Sequence, residues 1–159
     1  MRKLPIYYED IKIGSKVYLG PISVKKPDII SFAKCFDPQY FHLDEKKAKT
    51  SILKGLCASG WHTCALFMRM LYDGFLKNAK SQGSPGVDYI RWIQPVRPND
   101  VLNAIGTVRE KIPSKSKPNV GIIKTQYEVF NQTNQIVMTL IAVGIFEKKN
   151  INLWSRKYW

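Results

Sequence analysis

The period of apolar positions changes several times along this chain, and each change marks an element. From Ser15 to Val24 they alternate, Val17 with Leu19 and then Ile22 with Val24, and the phase slips by one at Gly20-Pro21. This predicts a strand broken or bulged at that dipeptide. Lys26-Pro27-Asp28 then opens a helix through Phe36, with proline tolerated in its first turn and Ile29, Ile30, Phe32 and Ala33 as its buried side. Asp37 ends it, because Pro38 disfavours helical backbone in the residue before. Asp44 to Ser51 reads as a short polar helix or turn, and Ile52 to Cys57 as an apolar approach to the next element.

From about Ser59 to Ala79 apolar residues recur at Trp61, Cys64, Ala65, Met68, Leu71, Tyr72, Phe75 and Leu76, while Leu66, Phe67 and Met70 widen the apolar surface. A helix of this composition is predicted to be enclosed. Arg69, Asp73 and Lys77 fall at four-residue steps and form its one narrow water-facing stripe. Gln82-Gly83-Ser84-Pro85-Gly86 breaks the chain, and strand-like runs follow at about Val87 to Gln94, Val101 to Glu110, Val120 to Phe130 and Ile136 to Phe146. Ile123, Thr125, Tyr127 and Val129 alternate with Lys124, Gln126 and Glu128, giving one wet face. Asn131 to Asn134 is a hairpin turn, and Ile136 to Val143, apolar on both faces, belongs mid-sheet. A strand, helices and then consecutive antiparallel strands make an α+β protein.

At 159 residues the chain suits a single domain, residues 1–159. Hydrophobic residues at 45% and charged residues at 23% exclude a disordered or fibrous class. No run is apolar enough to cross a bilayer, so the expected location is cytoplasmic, without a membrane partner. Cys35, Cys57 and Cys64 have neither zinc-ligand spacing nor a CxxC pair, so reduced, mostly buried thiols are expected, with no metal. The net charge of +13 invites an anionic partner. The lysines, however, are scattered in pairs and along Lys111 to Lys117, without a stacking platform, which argues against nucleic acid. The charge fits a solvated basic surface or a phosphate-bearing small molecule such as a coenzyme A thioester.

Chemistry concentrates in Phe36-Asp37-Pro38-Gln39-Tyr40-Phe41-His42-Leu43-Asp44 and, shortly after, Ala58-Ser59-Gly60-Trp61-His62. On a continuous helix Asp37 and His42 would point about 140° apart, so a turn must bring them together, and the pair is placed on a loop. An acid and an imidazole facing one water can take a proton from it and return one to carbon. The first turn of the following helix offers free amides and a positive dipole end to a developing oxyanion, Gly60 sparing a reactant any Cβ there. Ser59 suits the N-cap, its hydroxyl accepting from a backbone N–H.

These residues resemble the MaoC-like dehydratases, which include the (R)-specific enoyl-CoA hydratases and share the hot-dog fold, an antiparallel sheet wrapped around a long central helix. The similarity spans most of the chain. It rests on Asp37 with His42, on Ser59 with Gly60, and on Pro95-Val96-Arg97-Pro98-Asn99-Asp100 between strands. Many such hydratases read Asp-x-Asn-Pro-x-His and then His-Gly. Here Asp37-Pro38-Gln39-Tyr40-Phe41-His42 and Ser59-Gly60 keep the spacing but not the intervening turn, as in a subgroup reading Asp-Pro-Gln-x-Phe-His and Ala-Ser-Gly-Trp-His-Thr. The resemblance implies a hydro-lyase adding water to an enoyl-CoA-type thioester, with Asp37 and His42 catalytic, Gly60 and Ser59 at the oxyanion and substrate site, and a homodimer or higher homo-oligomer. It implies no cofactor beyond the coenzyme A of the substrate.

Two other classes remain open. A hot-dog acyl-CoA thioesterase would use a carboxylate on the central helix or an opposing element, and Asp73, the one acid on that helix, sits near the far end from Gly60. A noncatalytic acyl-CoA-binding domain would have no need of the Asp37/His42 pair. His62 is assigned to packing. Tyr40, Phe41 and Trp61 fit either an acyl pocket or core, Arg91 and Arg97 are candidate phosphate ligands, and Lys148 to Trp159 reads as a basic aromatic tail that packs locally or against a neighbouring subunit.

Overall fold

The computed structural model describes residues 4–149, so all but the first two residues of the basic aromatic tail lie outside the described residues. A 3-10 turn at Tyr8–Asp10 leads to β1 (Lys16–Ser23), α1 (Lys26–Phe36), α2 (Tyr40–Leu43), α3 (Glu45–Ala48) and the longest helix, α4 (Gly60–Gly74). After a 3-10 turn at Leu76–Asn78 come β2 (Ser81–Trp92), β3 (Val101–Pro113), β4 (Val120–Phe130) and β5 (Ile136–Glu147). The strands form one antiparallel sheet in the order β1-β3-β4-β5-β2, with α4 packed on it. This is the α+β hot-dog arrangement that the motifs imply.

The phase slip at Gly20-Pro21 is a break in register: Leu19 pairs with Ala104 and Ile22 with Leu102. β5 lies between β4 and β2, as its two-sided apolar pattern requires. Residues 131–135 join β4 to β5, with Asn134 at a positive φ. The core lies between α1, α4 and the sheet. Val24, Ile29, Leu102, Val129, Val137 and Met138 are fully buried there, and Phe67 and Met70 of α4 pack onto them.

Four expectations need correction. The Gly83-Ser84-Pro85-Gly86 segment does not break the chain but runs inside β2. An edge strand tolerates a proline, and the positive φ of Gly83 and Gly86 absorbs the bulges that separate Ser81, Gly83 and Gly86 in register. The central helix stops at Gly74 rather than Ala79. Arg69 and Asp73 pair across one turn at 2.6 Å, and Lys77 falls beyond the helix. Nor is α4 enclosed: Trp61, Met68 and Tyr72 are 62%, 49% and 52% exposed along one face. Finally, Cys57 is buried but Cys64 is half-buried and Cys35 exposed.

Candidate active site

Pro38 ends α1, and Asp37 leaves the helix with its carboxylate only 19% exposed. The chain then turns back through Pro38-Gln39 into α2, so His42 is delivered by a single helical turn rather than by the open loop expected. Asp44 caps α3 by accepting from the Lys46 and Lys47 amides, which fixes the far end of this reversal. The result brings His42 Nε2 to 3.5 Å from Asp37 Oδ2, with the imidazole 5% exposed as a residue.

The other ring nitrogen, Nδ1, lies 2.8 Å from the main-chain oxygen of Cys57. A carbonyl can only accept, so Nδ1 carries a proton, and Nε2 is the nitrogen that faces Asp37. The Cys57 thiol, pushed up in pKa by burial, sits beside the same nitrogen and stays protonated.

Asp37 is held from two further sides. Ser59 donates its hydroxyl to Oδ2 at 2.6 Å, and Gln39 donates its amide to Oδ1 at 2.8 Å. The Ser59 bond does most to hold the carboxyl below the usual aspartate range. Partial burial opposes it, while Gln39 and His42 assist. At neutral pH Asp37 is therefore a carboxylate, and its Oδ2 and His42 Nε2 together face the same corner.

Ser59 is also the expected N-cap of α4, accepting from the Trp61 amide at 3.3 Å. The first turn of α4 thus begins within a hydrogen bond of the acid. The space that a side chain at Gly60 would take is not, as expected, open to a reactant but filled by the protein itself. A Cβ on it would lie 2.5 Å from the indole of Trp92, whose Nε1 donates to the Gly60 carbonyl at 2.9 Å. The glycine makes room for Trp92, not for a reactant, on that side of the backbone.

His62, one turn into α4, stacks on Phe32 of α1 with ring centroids 4.8 Å apart. Burial lowers its pKa, with Asp28 opposing, so it serves as a neutral packing group between the two helices. Tyr40 is half exposed, and Phe41 packs edge-on against His42. Arg97 is not available to a phosphate: its guanidinium donates to the carbonyls of Leu53, Gly55 and Leu56. Within the expected Pro95-to-Asp100 turn its own amide donates to Asp100 at 2.7 Å. Arg91 is exposed on β2. Asp73 lies at the opposite end of α4, paired with Arg69.

Beyond Trp61 a cavity of about 750 Å³ runs between α4 and the sheet, lined by Met68, Leu71, Tyr127, Leu140 and Val143 among others. Its lining is overwhelmingly apolar, and the phenol of Tyr127 is pushed up to about 12 by burial. Asp37, His42, Ser59 and Gly60 do not line it, whereas Trp61, the residue after Gly60, does. No helix is long and apolar enough to cross a membrane, and no cluster of three or more metal-ligating side chains occurs, among the described residues.

Sequence reasoning missed Gln39, the Cys57 carbonyl and Trp92. A carbonyl has no sequence signature, and Trp92 lies 32 residues from the glycine that it covers. Gln39 lies between Asp37 and His42 in sequence, and its spacing of two from Asp37 is the local signal.

The model of the MaoC-like domain matches residues 10–129. The protein YdeM of Bacillus subtilis is 33% identical over 125 residues, covering 78% of this chain and 86% of YdeM. The MaoC-like dehydratase from Rhodospirillum rubrum is 36% identical with a TM-score of 0.86, over 92% of this chain and 99% of that one. The R-hydratase PhaJ1 from Pseudomonas aeruginosa is 26% identical with a TM-score of 0.69, over 92% and 88% of the two chains.

Proposed function

From the premise that this chain belongs to the MaoC-like domain family, we propose that it is a hydro-lyase that reversibly adds water to the α,β double bond of an enoyl thioester of the coenzyme A type. The observation that carries the reading is the 3.5 Å approach of His42 Nε2 to Asp37 Oδ2 in a buried corner at the start of α4. A hydratase and a dehydratase among the similar structures support the reaction class.

A water between Asp37 and His42 donates a hydrogen to each acceptor and turns its oxygen lone pairs toward the substrate. One O–H bond breaks, with its proton passing to the pair, as the C–O bond forms at the β carbon. The π electrons move to the thioester oxygen as an enolate. Free amides in the first turn of α4, Gly60 first, are the donors assigned to that oxygen. The enolate then collapses as the pair returns a proton to the α carbon, so the catalyst ends as it began. The Cys57 carbonyl keeps His42 in the tautomer this requires. General acid–base assistance of this kind is worth roughly 10²–10⁴-fold.

The apolar cavity beside α4 suits the acyl chain, and the exposed lysines suit the phosphates of the nucleotide tail. A second copy of the chain is assigned to the face of α4 that carries Trp61, Met68 and Tyr72 and to the open edge of β2, making a homodimer. The separation of Asp73 from Gly60 and its pairing with Arg69 favour hydration over hydrolysis.

The experiment is turnover of enoyl thioesters by the purified protein. Loss of conjugated enoyl absorbance is the expected outcome. Free thiol in its place would mean hydrolysis, and saturable binding with neither would mean a binding module.

A further inference from the structure

Trp92, at the end of edge strand β2, makes a contact that packing alone does not require. The ring covers the Cα of Gly60, and its one polar atom, Nε1, donates to the Gly60 carbonyl at 2.9 Å. That carbonyl shares a planar peptide with the Trp61 N–H, which donates to Ser59 Oγ at 3.3 Å. Ser59 Oγ in turn donates to Asp37 Oδ2 at 2.6 Å. All three bonds run in one direction, from indole N–H to peptide to hydroxyl to carboxylate.

We infer that Trp92 is a positioning residue for Asp37, acting through the Gly60–Trp61 peptide and Ser59. Donation to a carbonyl makes the N–H of the same peptide a stronger donor, and a hydroxyl that accepts a stronger bond donates a stronger one. Trp92 also fixes the plane of that peptide, and so the direction from which Ser59 meets the acid. The residue therefore joins the sheet edge to the reacting corner, although it is 44% exposed and Asp37 lies on another layer. Its edge-on contact with Trp61, ring centroids 5.4 Å apart, holds the indole in this orientation. The groups facing Asp37 are Ser59 from the start of α4, Gln39 from the turn and His42 from α2, and His42 is the titratable one among them.

The inference rests on the assignment of Asp37 to the reacting water, and its test has a readout that does not need turnover. Trp92→Phe keeps a ring over Gly60 and deletes the donor. The Asp37 carboxyl is followed by carbon NMR during an acid titration of the full chain, with Asp37→Asn assigning the signal. The expected result is an upward move of the titration midpoint on the order of 0.3 pH units, with an equal move of the acid limb of kcat/KM. A midpoint identical to that of the unaltered protein overturns the inference, whatever the hydration rate. If Trp92→Phe does not fold, 3-benzothienylalanine at position 92 keeps the bicyclic ring, replaces N–H by sulfur, and is judged by the same midpoint. A shifted midpoint in a protein without hydration activity would sustain this linkage while removing the proposed reaction.

Discussion

The imidazole of His42 hangs from the main-chain oxygen of Cys57, and this 2.8 Å contact decides which of its nitrogens faces Asp37. The carbonyl is placed by the segment before it, where Arg97 ties down Leu53, Gly55 and Leu56. The basic residue in the turn after β2 thus supports the histidine at second hand.

Arg97→Lys should accordingly lower both stability and turnover while keeping the charge. An ammonium cannot match a planar fork aimed at three carbonyls, and each hydrogen bond from a charged group is worth roughly 1.5–3 kcal/mol. With the side chain only partly buried, a loss of about 1–2 kcal/mol is expected after solvent screening. Chemical denaturation checks it; an unchanged midpoint would show that the 53–56 segment holds itself.

Ser59→Ala removes two bonds at once, the cap on the Trp61 amide and the donor to Asp37. Loss of a serine cap costs about 1 kcal/mol. The folded-state pKa of Asp37 is depressed, so its contribution to stability is present above the unfolded value and is lost as pH falls through the folded one. Without Ser59 the folded pKa rises toward the ordinary aspartate value, and the acid-side loss of stability and activity should begin at higher pH. A kcat/KM profile with an unmoved acid limb would refute this.

Much of the fold was legible because local rules and tertiary demands agree in it. Pro38 after Asp37 stopped α1 where the sequence pattern placed the stop, and the slip at Gly20-Pro21 appeared as a break in register. The start of β2 is hidden from a local reading because glycine and proline, breakers in a central strand, are tolerated at an edge, and edge position is set by strands far away in sequence. The composition of α4, apolar nearly all round, predicts an enclosed helix. Composition does not distinguish a face covered by its own sheet from one left open on Trp61, Met68 and Tyr72. Within the site, Asp37, His42 and Ser59 were legible from type and spacing. The Cys57 carbonyl, 15 residues from the His42 it holds, and Trp92, 32 residues from the Gly60 it covers, leave no pattern.

Gly60→Ala tests whether the glycine serves the indole. The added methyl would meet Trp92 at 2.5 Å, so the ring or the helix start must move. Overpacking of this kind costs typically 1–3 kcal/mol. A melting temperature lowered in Gly60→Ala and partly recovered by combining it with Trp92→Ala is expected; no coupling between the two would place the cost elsewhere.

The open face of α4 yields a prediction about assembly. Met68→Lys puts a charge on the centre of the exposed apolar stripe. Sedimentation at micromolar concentrations should show a dimer for the unaltered protein and a shift toward monomer for the variant. A monomer in both cases would mean that another surface, or none, pairs.

The most direct test of the Asp37/His42 site is the initial rate of enoyl absorbance loss with short, branched and long enoyl thioesters, for the unaltered protein beside Asp37→Asn and His42→Ala. The expected result is hydration by the unaltered protein and a fall of roughly 10²–10⁴-fold in each variant, with the fold retained. Hydration that proceeds undiminished in both folded variants would contradict the site.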